Sequence, residues 1–354
     1  MTSFKANGLP LLVGSLPMDN HPAAAELVME YTPKIPLWVQ LPKFLEEGMI
    51  NQFLQGLPGV TVQEGKHFID TQSTDFDEQF LAYFEDYLAL SEPGSDLEGS
   101  RFAFSQVTGK GFFEFLNQVD RQTTSFAALK GQVTGPITFC TGVKDEADRG
   151  IFYNDQLRDA AVKKLALNAR WQAEAMAKRG AVPIIFIDEP ALAGFGTSAY
   201  ITISKQDVIA CLEEIIQEIH GENGLAGVHV CANTEWDMLL GSNLDVISFD
   251  AFSYFDKFIL YPKMIQHYLN RGSILAFGIV PTGNAELIAQ QTTQGLVEKF
   301  EAQVAQLTAL GFDRKTIIEQ TFITPSCGTG SLDLDSAKRV LQLTQRVSAA
   351  IQAK

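Results

Sequence analysis

One histidine and two cysteines of this sequence follow apolar stretches typical of buried strands. His229 and Cys231 end the stretch "LAGVHVC" (225–231), and their two-residue spacing points both side chains to the same side of an extended chain. Cys327 ends another apolar stretch, "QTFITPSC" (320–327). One imidazole and two thiolates, with a carboxylate or an open position beside them, suit zinc. We therefore predict a zinc site at these three residues.

The distances along the chain argue against a zinc finger, whose ligands come in closely spaced pairs. Asp250, at the end of "LDVISFD" (244–250), is a candidate fourth ligand on a further strand. Each residue also has an ordinary structural interpretation, because single cysteines are commonly small buried hydrophobic residues and single histidines are commonly hydrogen-bonded. Cys140 and Cys211 are predicted to be core residues of this kind.

Two acids, Asp188 and Glu189, follow the apolar stretch "VPIIFI" (182–187). Adjacent acids directly after a buried strand are not explained by a solvated surface. Two interpretations stay open: one acid binds a cationic group of a substrate, or both acids cap the helix that follows.

The elements that must position these residues are short apolar strands that alternate with helices, a pattern typical of α/β proteins with parallel strands. Strands are predicted at residues 9–15, 36–41, 126–135, 182–190, 225–231, 244–250, 273–280 and 320–327. Eight such strands predict a (β/α)₈ barrel, whose active site lies at the carboxyl ends of its strands. A doubly wound open sheet is the alternative, but "VGSLPMDN" after the first strand is not a glycine-rich phosphate-binding turn.

Helices are predicted at residues 155–179 and 205–219, within 284–311, and from near Asp335 to the end of the chain. Residues 45–125 are too many for one helix between the second and third strands, so we expect extra helices on the rim of the barrel, with an exposed loop at 90–100. The whole chain, 1–354, is thus predicted to be a single catalytic barrel domain.

Composition excludes several classes of function. The 354 residues include 27 Lys and Arg against 42 Asp and Glu, a formal net charge of −15, which disfavours nucleic acids and anionic membranes as partners. No apolar stretch approaches the ~20 residues that span a bilayer. The N-terminal stretch is interpreted as a first strand and not a signal peptide. Four cysteines do not suggest a disulfide framework, so a cytoplasmic location is expected.

Six motifs resemble those of a known family: "VGSLP", "KGQVTGPIT", "IDEPAL", "HVC", "DVISFD" and "TPSCGTGSL". They are similar to the catalytic C-terminal barrel of cobalamin-independent methionine synthase, within the superfamily that also contains corrinoid-dependent methyltransferases and uroporphyrinogen decarboxylase. The motifs extend from residue 13 to residue 332. The combination of "HxC" with a distant "PSCG" is specific to the zinc methyltransferase branch.

The resemblance implies that His229, Cys231 and Cys327 bind zinc. It also implies that Asp250 stands where the synthases have a glutamate as the fourth ligand. A zinc ion with two thiolates is better suited to holding a substrate thiol as a thiolate than to activating water, and the matching reaction is alkyl transfer to sulfur. No catalytic residue beyond the zinc centre is expected.

The resemblance further implies a binding site for the amino-acid part of homocysteine. Gly14 and Ser15 match the segment that holds its carboxylate, and Asp188 matches the acid that holds its ammonium group. The usual synthases carry a second barrel that helps to hold a folate donor. A single barrel resembles the short core enzymes, which are similar to proteins that take methyl groups from a methylcorrinoid.

We therefore expect a zinc-dependent methyltransferase that converts homocysteine to methionine. The donor is expected to be methylcobalamin, a methylcorrinoid protein or methyltetrahydrofolate. Alternatives are methyl transfer to another thiol such as a mercaptosulfonate, a decarboxylase similar to the tetrapyrrole enzyme, and a non-catalytic protein with a structural zinc site. Asp188 favours an acceptor with an ammonium group, and "SLPMDNHP" lacks the paired arginines that the decarboxylase would need.

Overall fold

The strands position the candidate residues, and a computed structural model describes them within residues 4–197 and 200–354. The strands are β1 (Val60–Gln63), β2 (Lys66–Ile69), β3 (Ala128–Thr134), β4 (Val182–Asp188), β5 (Leu225–Val230), β6 (Val246–Phe249), β7 (Ile274–Val280) and β8 (Thr321–Pro325). β1 and β2 form an antiparallel hairpin, whereas β3 to β8 form one parallel sheet in sequence order. The third to eighth predicted strands are thereby confirmed.

Helices follow most of these strands. They are α1 (His21–Tyr31), α2 (Asn51–Leu54), α3 (Phe76–Leu90), α4 (Lys110–Asp120), α5 (Pro136–Gly142), α6 (Asp155–Ala177), α7 (Lys205–Gly221), α8 (Trp236–Leu240), α9 (Ala251–Phe258), α10 (Pro262–Asn270), α11 (Ala285–Ala289), α12 (Thr293–Thr308), α13 (Arg314–Glu319) and α14 (Leu334–Gln352). Short 3₁₀ turns lie at Leu45–Glu47, Ile151–Tyr153 and Pro190–Gly194. Among the helices described, none combines the length and apolar character needed to cross a bilayer.

The first two predicted strands are not regular strands in the structure. Residues 9–15 and 36–41 form only isolated parallel bridges, Pro10 with Ile323 and Leu37 with Lys130. Pro10 and Pro36 in these segments lack the N–H that a continuous ladder needs, which explains the interruption.

These two irregular segments nevertheless lie along the edges of the sheet. Leu11 N donates to Ile323 O of β8 at 2.9 Å, and Lys130 N of β3 donates to Pro36 O at 3.0 Å. The segments also meet each other, because Gln40 N donates to Gly14 O at 2.8 Å. The six-stranded sheet is therefore curled, and the two segments together connect its two edges.

Residues 45–125 contain the helices α2, α3 and α4, as expected for this region. They also contain the hairpin of β1 and β2, and the sequence pattern did not predict this hairpin. Polar side chains of helix α6 donate hydrogen bonds to backbone carbonyls of the 45–125 region. The Lys164 ammonium donates to Arg101 O, and Asn168 Nδ2 donates to Phe102 O at 2.8 Å. Buried polar groups at this contact thus satisfy one another within the protein.

The concave side of the sheet is divided into an apolar and a polar layer. The apolar layer lies towards the amino ends of the strands and contains Ala6, Leu11, Ile35, Ala128, Ile184, Phe186, Leu225, Val246, Ile274, Ala276 and Phe322. Continuing with a period of two, the same strands present Lys130, Gln132, Asp188, His229 and Ser248 nearer their carboxyl ends, all buried. The candidate site therefore lies on the carboxyl-terminal side of this apolar layer.

Candidate active site at the strand ends

A cavity of about 330 Å³ lies at the carboxyl ends of the strands. Its lining consists of Val13, Gly14, Ser15, Gln40, Pro42, Met49, Asp188, Pro190, His229, Cys231, Cys327, Gly328, Gly330 and Ser331. Every site residue predicted from the sequence is in this lining except Asp250. The structure thus brings together residues that are far apart in the chain.

His229 is held as a neutral imidazole with one nitrogen free. Its Nδ1 lies 2.9 Å from Ser248 Oγ on the neighbouring strand β6. Its Nε2 is buried and has no hydrogen-bond partner among the described residues. Burial, and secondarily the charge of Lys130, lowers the pKa of His229 to about 3. A neutral ring with an unengaged nitrogen is the form in which histidine binds metals.

Cys231 and Cys327 are half-buried and carry no disulfide. The interaction of each thiol with the other is the main cause that lowers the pKa of Cys231 to about 7 and raises the pKa of Cys327. The pair thus loses its first proton readily and holds the second strongly. By contrast, Cys140 and Cys211 are buried, as predicted for core residues.

The donors fit zinc in kind, but they are not gathered around one point. No group of three or more His, Cys, Asp or Glu side chains at metal-binding spacing occurs within residues 4–197 and 200–354. Both cysteines line the same cavity as His229, whose Nε2 has no partner among the described residues, and these are the donor types of a zinc centre. Metal binding would require the donors to lie closer together than they do in this structure.

Asp250, the predicted fourth ligand, is used differently in this structure. Its Oδ1 accepts a hydrogen bond from Ser253 N at 2.8 Å and so caps the N-terminus of α9. Burial raises the pKa of this carboxyl group. The carboxylate is therefore committed to the helix, outside the cavity lining.

Asp188 faces the cavity from the end of β4. Its side chain is buried, and its Oδ1 has no hydrogen-bond partner among the described residues. Burial raises the pKa of Asp188 to about 6, and the nearby Lys130 limits that rise. A buried, largely ionised carboxylate with a free oxygen is suited to accept hydrogen bonds from a cationic ligand.

Glu189, the next residue, points away from the cavity. Its Oε1 accepts from Ile137 N at 2.6 Å, and its Oε2 accepts from Thr138 N at 2.9 Å and from Thr138 Oγ1 at 2.7 Å. A Cβ at Gly135 would lie 2.0 Å from Glu189, so only glycine allows this close approach. Glu189 therefore caps the N-terminus of α5, whereas Asp188 caps no helix.

Ser15 fastens the loop that carries Cys327. Its carbonyl oxygen accepts from Thr329 N and Thr329 Oγ1, both at 3.0 Å, and its Oγ accepts from Gly330 N at 3.2 Å. A Cβ at Gly330 would lie 2.7 Å from Ser15 Oγ, which explains a glycine there. The hydroxyl hydrogen of Ser15 stays available as a donor.

Sequence reasoning missed Lys130 and Ser248. Lys130 is fully buried, donates to Gln132 Oε1 at 3.2 Å and lies 4.4 Å from the ring centroid of Phe186. Burial lowers its pKa to about 8, and Asp188 opposes that shift. The available signal was spacing: Lys130 precedes Gln132 by two residues and Ser248 precedes Asp250 by two, so each shares a strand face with a polar residue already noted.

Two larger cavities differ from this one in chemistry. One, of about 820 Å³, lies within the 45–125 region, and there Glu98 accepts from Trp171 Nε1. The other, of about 1000 Å³, lies at the amino ends of the strands, where His220 Nε2 pairs with Asp245 Oδ2 at 2.7 Å. These polar groups have protein partners, whereas the small cavity is lined by Asp188 and His229, which each keep a buried polar atom unpaired among the described residues.

Comparison with solved structures gives a distant likeness. No protein-family model matches the chain, and no curated protein matches it. Among solved structures, a methyltransferase from Methanosarcina mazei is similar, with a TM-score of 0.51 and 14% sequence identity over 92% of this chain and 84% of that protein. At this identity the likeness shows a shared α/β fold.

Proposed function

We propose that this protein is a zinc-dependent methyltransferase that transfers a methyl group to the thiol of homocysteine and forms methionine. One observation carries the proposal: His229, whose buried Nε2 is uncharged and unpaired, lines a cavity together with two free cysteines. The unpaired Oδ1 of Asp188 in the same cavity supports an acceptor with an ammonium group.

The proposed family is that of the methionine synthase catalytic barrel. In this interpretation, residues 9–15 and 36–41 are the first and second strands of a (β/α)₈ barrel, reduced to isolated bridges by their prolines. The Methanosarcina protein, itself named a methyltransferase, is consistent with this assignment. The chain would be one barrel domain with a rim insertion at 45–125.

The metal would be held by His229, Cys231 and Cys327, with Asp250 as the proposed fourth ligand if its side chain leaves the cap of α9. When bound, zinc supplies a site at which the acceptor sulfur is held as a thiolate that stays nucleophilic. The protein contributes an imidazole that is already neutral and a thiol pair whose first proton leaves readily. The imidazole needs no change of charge state, whereas the second thiol would have to release its proton when the metal binds.

The acceptor site matches a small amino acid. A volume of about 330 Å³ is near the lower end of ligand pockets, roughly 300–1,000 Å³, so the acceptor fits but a corrinoid or folate does not. Asp188 Oδ1 would accept hydrogen bonds from the ammonium group. The hydroxyl of Ser15, beside Gly14, would donate to the carboxylate.

The alternatives receive less support from the cavity. None of the described residues that line it is Arg or Lys, which disfavours a decarboxylase for a tetrapyrrole with several carboxylates and a mercaptosulfonate acceptor. We propose methylcobalamin or a methylcorrinoid protein as the donor, with methyltetrahydrofolate as the second choice. Either donor would approach from the open side of the cavity.

Metal content and methyl transfer test the proposal together. Purified protein should contain about one zinc per chain, and Cys231→Ser and Cys327→Ser should lose it, whereas the buried Cys211→Ser control should keep it. Zinc-loaded protein with homocysteine and methylcobalamin should form methionine, detected by mass spectrometry. Zinc retention in both site variants, or no methionine with any of the three donors, would contradict the proposal.

A further inference from the structure

We propose that Ser248 is the positioning residue that aims His229 Nε2 at the metal, an inference that rests on the metal centre of the proposed function. Ser248 lies on β6 directly opposite His229 of β5, and its side chain is completely buried. Its Oγ is 2.9 Å from His229 Nδ1. With Nδ1 held on the neighbouring strand, the opposite ring nitrogen points into the cavity.

The hydrogen bond between Ser248 and His229 is exclusive. On its other side, Ser248 is paired with Ala276 of β7, which offers no polar side chain. Among the described residues, His229 Nδ1 is the single hydrogen-bond partner that the Ser248 hydroxyl has. A buried hydroxyl whose one partner is an imidazole has no competing orientation, so it fixes the ring.

Each neutral tautomer of the metal-free ring leaves one buried donor without an acceptor. If the hydroxyl donates to Nδ1, the ring proton is on Nε2, which has no hydrogen-bond partner among the described residues. If Nδ1–H donates to Oγ instead, the hydroxyl hydrogen has no acceptor. The second tautomer is the one that leaves Nε2 free to bind a metal.

A metal bound at Nε2 would therefore be served by the tautomer whose Nδ1–H donates to Ser248 Oγ. The ring stays neutral, and Ser248 serves as acceptor in the metal-bound state. A partner on the second nitrogen fixes the orientation of a histidine ligand and raises its basicity.

Zinc affinity tests the role of Ser248 directly. We would measure it by competition with a chromogenic chelator for the wild-type protein, Ser248→Ala, Ser248→Thr and Thr324→Val. Ser248→Ala should weaken zinc binding by about 10–100-fold, whereas Ser248→Thr, which keeps the hydroxyl, should restore it. Thr324→Val is the matched control, because it removes a buried hydroxyl that has no partner among the described residues.

Equal zinc affinity of the wild type and Ser248→Ala would overturn the role of Ser248 and leave the proposed function standing. If the wild type bound no zinc, the metal centre itself would be wrong, and Ser248 would have no role in it.

A spectroscopic measurement on the unaltered protein does not depend on the folding of any variant. Long-range ¹H–¹⁵N correlation of the His229 ring should show the proton on Nδ1 after zinc is added. A zinc-bound ring with an unprotonated Nδ1 would overturn the proposal.

Discussion

Asp188 and Glu189 are neighbours in sequence, both are buried, and burial raises the pKa of both, yet they belong to different regions of the molecule. Glu189 accepts three hydrogen bonds at the N-terminus of α5. Asp188 keeps one oxygen unpaired in the cavity at the strand ends. Burial and raised pKa are therefore shared, and the satisfaction of hydrogen bonds separates the acid that caps a helix from the acid that faces the cavity.

The two buried lysines repeat this contrast. Lys164 donates to the backbone carbonyl of Arg101, and this bond ties the 45–125 region to α6. Lys130 has a neutral partner, Gln132 Oε1, and lies close enough to Asp188 that each shifts the pKa of the other. Lys164 thus joins two regions of the fold through a backbone carbonyl. Lys130 instead changes the pKa of the unsatisfied Asp188 carboxyl group in the candidate site.

The largest expected effect is the loss of stability when Glu189, the acid that caps α5, is replaced. Glu189→Ala removes three hydrogen bonds to a charged group and leaves Ile137 N and Thr138 N buried without an acceptor. The free energy of unfolding should fall by about 3 kcal/mol or more, measured by urea denaturation. A variant as stable as the wild type would show that the two acids do not differ in the way described.

Next in size is the effect of Asp188→Asn on the acceptor. Homocysteine binding to the zinc-loaded protein, measured by calorimetry, should weaken by about 10–100-fold, because a hydrogen bond to a charged group contributes about 1.5–3 kcal/mol. 4-Sulfanylbutanoate, which lacks the ammonium group, is the control ligand; an equal loss of affinity for both compounds would refute the ammonium assignment.

The pH dependence of stability should reflect both acids. Burial raises the pKa of Asp188 to about 6 and that of Glu189 to about 7, so each acid binds more protons in the folded chain than in the unfolded chain between about pH 4 and its folded pKa. The contribution of each acid to the free energy of unfolding should therefore fall as the pH rises, whereas His229, whose pKa is lowered to about 3, contributes with the opposite sign. Glu189→Gln should remove the falling contribution of Glu189, and an unchanged pH dependence would exclude that contribution.

The smallest effect is expected from Gly330→Ala. The added Cβ would lie 2.7 Å from Ser15 Oγ and push the loop that carries Cys327. Unfolding free energy should fall by about 1 kcal/mol, with a modest loss of zinc affinity. Gly221→Ala is the control, because a Cβ there meets no other atom within 4 Å. Equal effects of the two substitutions would argue against close packing of Ser15 on the loop that carries Cys327.

Much of the fold could be predicted because six strands are continuous apolar stretches between helices. The first two segments could not be predicted in detail, since their prolines break the ladder without removing the apolar pattern. The hairpin at Val60–Gln63 and Lys66–Ile69 was missed because it is largely exposed and has little alternation. Apolar periodicity detects buried elements and little else.

Two features of the sequence, the carboxyl ends of strands and the alternation of side chains along them, predicted part of the candidate site. These placed His229, Cys231 and Cys327 at one cavity. They did not distinguish Asp188 from Glu189, because that difference arises from the position of α5. Ser248 was missed because a serine in an apolar strand gains meaning only when its partner on the next strand is known.

The central claim is that the unpaired atoms of this cavity form a zinc site that binds an acceptor thiol. X-ray absorption at the zinc edge, before and after homocysteine is added, tests it most directly. We predict a site with one nitrogen and two sulfur ligands from His229, Cys231 and Cys327, which gains a further sulfur when homocysteine binds. A zinc-free protein, or sulfur coordination that homocysteine leaves unchanged, would contradict the account.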